Sequence, residues 1–165
     1  MSTADQRAAA RQLFELIARS STSEAWPTSS SDAEVVAWQN DAVSRLLTLT
    51  YNQQIDYLSV ATPESGDWDI VAFTDSTVVS LTLIRTSSGV SHLDSFAFPR
   101  RSLESLELLD VAPMSDDDEP WPDELNLIGH YKNATLRLPL DKFASHDNKR
   151  DLAALLSSLL HDLGH

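Results

Sequence analysis

The chain has 165 residues, 42% hydrophobic and 22% charged, which suits one soluble globular domain with some additional structure. It contains no cysteine, so disulfides, thiolate metal sites and cysteine nucleophiles are excluded. Its net charge is −13 with only 12 basic residues, which disfavours nucleic acid and anionic membrane surfaces because both need clustered Lys and Arg.

The first residues, MSTADQRAAARQLF, show no basic region followed by an apolar stretch and do not read as a signal peptide. No run approaches the roughly 20 apolar residues that span a bilayer. The expectation is a cytoplasmic protein without integral membrane contact.

Residues 3–19 read as a helix. Thr3 and Gln6 stand at capping-box spacing, and Leu13, Phe14, Ile17 and Ala18 make a narrow apolar stripe. Residues 20–31 are rich in Ser and Thr and read as a linker, with Trp26 as an anchor onto the domain surface or, more simply, a loop tryptophan covering an apolar patch. A second helix spans about 32–49, capped by Ser31 with Glu34, its apolar face built from Val35, Val36, Val43, Leu46 and Leu47. Thr48 and Thr50 leave residues 46–51 ambiguous between helix and strand. This helical extension, residues 1–52, precedes a second unit, residues 53–165.

Seven short segments follow. Residues 55–62, 68–74, 77–85, 90–98, 103–111, 125–131 and 134–140 read as antiparallel strands separated by turns. Residues 68–74 are apolar on both faces, as in a fully buried strand. In 77–85, Val79, Leu81 and Leu83 alternate with Ser80 and Thr82. Phe96 and Phe98 share a face, as do Leu106 and Leu108, and Lys132-Asn133 forms a hairpin tip. Last comes a helix with Leu152, Leu155, Leu156, Leu159 and Leu163 on one stripe, started by Asp147 and followed by Gly164.

Two strings carry a family resemblance. Phe73-Thr74-Asp75-Ser76-Thr77-Val78 and Phe98-Pro99-Arg100-Arg101-Ser102-Leu103-Glu104-Ser105-Leu106, in this strand order and with a closing helix, resemble bacterial pleckstrin-homology-like domains over residues 55–163. The resemblance implies an α+β fold: two N-terminal helices, then a seven-stranded antiparallel barrel or sandwich of two nearly orthogonal sheets, capped by the C-terminal helix. It also implies binding of lipids, peptides or proteins. Lipid-binding members carry basic residues between the first two strands, whereas Pro63-Glu64-Ser65-Gly66-Asp67 is acidic here. Ser76 and Thr77 replace a basic pair. Both departures speak against phosphoinositides.

The acidic segment 113–124 holds Asp116, Asp117, Asp118, Glu119, Asp123 and Glu124 around Trp121. It lacks the spacing and glycine of an EF-hand loop. A large aromatic flanked by carboxylates suits a partner-docking loop, with a solvated loop as the plainer alternative. His161 and His165, four apart, offer too few ligands for a structural metal. His92 and Asp94 share a strand face, as a polar pair more than a catalytic couple. Four unclustered glycines exclude a Walker loop and a dinucleotide fingerprint. Arg100 and Arg101 suit an acidic peptide or phosphate, or plain ion pairing. No cofactor is called for.

The first functional expectation is a non-enzymatic protein-interaction or scaffold module with a protein partner, plausibly basic, and with homo-oligomerisation open. The second is an acidic inhibitor or immunity-type protein whose carboxylates mimic nucleic acid. The third is an enzyme, which would need a deep pocket with convergent polar groups.

Overall fold

The computed structural model describes residues 3–21, 26, 29–51, 53–61, 68–85, 91–111, 125–141 and 144–164. Two helices, α1 (Thr3–Ser20) and α2 (Ala33–Leu49), come first. Strands β1 (Tyr57–Ala61), β2 (Trp68–Phe73), β3 (Thr77–Arg85) and β4 (Ser91–Pro99) form an antiparallel sheet in that order. A single 3-10 turn, Arg100–Ser102, leads into β5 (Leu103–Val111), β6 (Leu125–Tyr131) and β7 (Ala134–Leu138), which make a second antiparallel sheet. Helix α3 (His146–Asp162) closes the order. No helix among the described residues is long and apolar enough to cross a membrane.

The α+β class stands, and of the two alternatives, barrel or sandwich of two sheets, the closed barrel is not found. The strands divide into separate sheets of four and three, and the sequence reading had placed no helical turn between β4 and β5. Consecutive strands β4 and β5 are therefore each an edge of their own sheet.

Helix starts differ from the sequence expectation. The cap of α2 is Asp32, whose Oδ1 accepts from the amide of Glu34 at 2.9 Å, and not Ser31. The cap of α3 is Ser145, accepting from Asn148, while Asp147 sits in the first turn. Both positions still supply an acceptor for an otherwise free amide. Residues 46–49 are helical, and Thr50 closes α2 by hydrogen-bonding the Leu46 carbonyl through both its amide and its hydroxyl.

Strands β1 and β2 and most of β3 are buried on both faces, whereas β4 buries Leu93 and Phe98 and leaves His92, Asp94, Phe96 and Ala97 exposed. Leu58, Val60, Trp68, Ile70, Val79, Leu81 and Leu93 point to α1 and α2, meeting Leu13, Ile17, Trp38 and Leu46. Trp26 does dock onto apolar side chains, and so deeply that it joins the core. It is 1% exposed, with its ring 5.3 Å from Phe14 and 5.0 Å from Trp38, which in turn lies 3.8 Å from Trp68. One row of aromatics thus ties α1, the linker, α2 and β2 together.

On the opposite face, Tyr57, Val71, Phe73, Val78 and Phe98 meet the second sheet and α3. Leu152, Leu155 and Leu159 are buried here, while Leu156 and Leu163 are half-buried. The second sheet alternates instead: Leu125, Leu127, Gly129 and Tyr131 point inward between half-buried residues. Gly129 leaves room for an aromatic ring, since a Cβ there would lie 3.0 Å from the ring of Tyr131.

Candidate docking surface

Every buried charged side chain needs partners, and Arg100 is 2% exposed. Its Nε donates to Asp162 Oδ2 at 2.6 Å, its Nη1 to the Thr74 carbonyl at 2.9 Å, and its Nη2 to the Ser158 hydroxyl. Asp56 adds a carboxylate at 3.6 Å. Thr74 belongs to the β2–β3 reversal, where its hydroxyl accepts from the Thr77 amide at 3.0 Å. Arg100 is therefore spent on holding the end of α3 against that turn, and is not presented to an acidic ligand. Arg101, its neighbour, is exposed.

The edge of β1 is also occupied. The Leu58 carbonyl accepts from Asn148 Nδ2 at 2.5 Å, and Ser59 Oγ accepts from the Leu140 amide at 3.0 Å. The hydroxyl of Tyr57 donates to Asn148 Oδ1 at 3.1 Å, and burial pushes its ionisation well above the usual tyrosine range. Burial raises Tyr131 in the same way, and its hydroxyl finds no hydrogen-bond partner among the described residues.

The edges of β4 and β5 contrast with that of β1. Phe96 is 47% exposed and stacks on the buried Phe98 with centroids 5.9 Å apart and planes at 21°. Leu108 is 53% and Leu109 41% exposed. Alternation had put Leu106 and Leu108 on one face. Leu106 is half-buried and joins the core, but the register shifts between Leu108 and Asp110, and Leu108 lies open to solvent. Exposed Glu104, Glu107 and Asp110 accompany these leucines. The outer edge of β7, by comparison, exposes Thr135 and Arg137.

His92 Nε2 and Asp94 Oδ1 do pair, at 2.7 Å, both largely exposed on β4. No serine hydroxyl bonds His92 among the described residues. No group of three or more His, Asp or Glu that could hold a metal occurs among the described residues. The sequence-derived docking residues Asp116, Asp117, Asp118, Glu119, Trp121, Asp123 and Glu124 lie outside the described residues, as do residues 62–67 and His165. They belong to the stretch that joins β5 to β6. Sequence reading missed Phe96, Leu108 and Leu109 as a surface; an apolar triplet in strands that also carry charge was the only signal. Comparison with protein-family models, with curated proteins and with solved structures finds no match.

Proposed function

We propose that this chain is a non-enzymatic protein-interaction module of pleckstrin-homology-like architecture, acting in the cytoplasm. Its partner docks on the β4 and β5 edges and on the acidic, Trp121-bearing segment beyond β5. The observation that carries this reading is the exposure of Phe96, Leu108 and Leu109 on two strands with a free edge. Edge strands normally carry charge or cover, and exposed apolar side chains on such an edge invite a partner. The four-then-three strand order with a closing helix supports the family assignment. Carboxylates around the apolar residues favour a basic partner, and they disfavour phosphoinositides.

Affinity capture from native lysate tests the reading. The double variant Phe96→Ser, Leu108→Ser loses partners that the parent retains, and deletion of 115–124 weakens the same capture. Unchanged recovery with both variants overturns it. Glu104, Glu107 and Asp110 along one strand favour a second reading, an inhibitor mimicking nucleic acid. It requires capture that collapses steeply with salt and is insensitive to the Phe96 and Leu108 changes.

A further inference from the structure

A second concavity lies apart from the β4 and β5 edges. Between α1, the end of α2 and the chain entering β1 is a cavity of about 500 Å³. Leu13, Leu16 and Leu47 give it an apolar wall, and Gln12, Gln53 and Arg19 supply its polar groups. No acidic residue lines it among the described residues, although the whole chain carries 25 Asp and Glu. Among the described residues the ion pairs of arginine engage Arg45, Arg100 and Arg150, and Arg19 enters none. Arg19, itself exposed, thus lines a mainly apolar hollow and also borders a neighbouring one that Glu15 shares.

A backbone feature marks the same corner. Tyr51, just past the end of α2, has φ 53° and a side chain left 85% exposed. Glycine is the usual occupant of that position, because an L side chain is strained in the left-handed region. The ring gains no burial to offset this strain. Tyr51 follows Thr50, which lines the cavity, and precedes Gln53 by two positions.

We propose that this cavity binds a small amphipathic monocarboxylate. The apolar body lies along Leu13, Leu16 and Leu47, and the carboxylate meets Arg19, whose planar fork matches it, with amide donors from Gln12 and Gln53 beside it. The volume falls within the range of small-molecule sites. A polyanion would be repelled by the net charge of −13, whereas a single carboxylate on an apolar body is held by burial and one local cation. The same chemistry occurs in a free acid and in the C-terminal carboxylate of an apolar peptide.

The test is a methyl-labelled NMR titration of the full chain with decanoate, decanol, and a leucine-ended tetrapeptide as free acid or as amide. Decanoate shifts the methyls of Leu13, Leu16 and Leu47 saturably and binds roughly tenfold or more tighter than decanol, as a charge-assisted contact requires. Arg19→Gln erases that preference. Gln12→Trp, at an exposed position, fills the hollow and weakens acid and alcohol alike while the spectrum stays folded. A peptide acid preferred over its amide assigns the source to peptide termini; indifference between them, with decanoate still preferred, assigns it to free acids. Absence of saturable shifts, equal binding of decanoate and decanol, or an acid preference that survives Arg19→Gln overturns the proposal.

Discussion

The two sheets solve the same packing problem differently. The four-stranded sheet is covered on both faces over β1, β2 and most of β3, by α1 and α2 on one side and by the second sheet and α3 on the other, and β4 is covered only in part. The three-stranded sheet is covered on one face only, and its outer residues are half-buried or exposed. Cover on both faces leaves little of β1 and β2 for a partner, whereas β4 keeps Phe96, His92 and Asp94 open to solvent. The edge at β1 is occupied by Asn148 and the Leu140 amide, and the edge of this sheet that remains open is β4. Exposed apolar side chains at that edge stand out for that reason.

Substitutions can break this contrast. The largest effect is expected where α3 is pinned. Asp162→Ala leaves Arg100 buried with one distant carboxylate and costs about 3–5 kcal/mol in urea unfolding. Asp41→Ala, which removes the exposed Arg45 pair, changes stability by no more than about 0.5 kcal/mol. A similar loss on removing either would abolish the distinction.

The two faces of the first sheet differ from the outer face of the second in the same way. Leu81→Ala, in contact with the helices, costs about 2–5 kcal/mol, as does Leu127→Ala on the inner face of β6. Ile128→Ala, on the outer face of β6, costs about 1 kcal/mol or less, since less area is removed from contact. Gly129→Ala forces the Tyr131 ring aside and costs about 1–3 kcal/mol.

Alkali sharpens the picture further. Burial raises Tyr57 and Tyr131 above their ordinary ionisation near 10.0, so the unfolded chain loses these protons first. Their stabilising effect is complete below pH 10 and declines as pH rises beyond it, because the folded state binds more protons there. Tyr131→Phe flattens the decline in urea midpoint above pH 10. At neutral pH it is neutral or slightly stabilising, since the hydroxyl it removes has no partner among the described residues. At the edge, Phe96→Ser and Leu108→Ser leave stability within about 0.5–1 kcal/mol while removing partner capture.

Much of the local structure was legible. The alternation in β3 placed Val79, Leu81 and Leu83 on one face, and they share the core with the helices. The unbroken apolar run of β2 signalled burial on both sides, which it has. Trp26 was not legible as core, because its Ser- and Thr-rich surroundings read as a loop. Only its neighbours Phe14 and Trp38, on two helices, draw it inside. Leu108 misled in the other direction: alternation pointed it inward, and a register shift and lack of cover left it exposed.

By itself the sequence determined the α+β class, the positions of the alternating segments, the acidic character and the absence of thiol chemistry. Each of these rests on composition or on periodicities of a few residues. Only the tertiary structure decided that the sheets stay separate, that α1 and α2 cover one face, and that Arg100 faces inward. The reason is distance along the chain: Arg100 and Asp162 are 62 residues apart, and Tyr57 and Asn148 are 91 apart. No short-range pattern records such a meeting, because burial and pairing are properties of the folded neighbourhood.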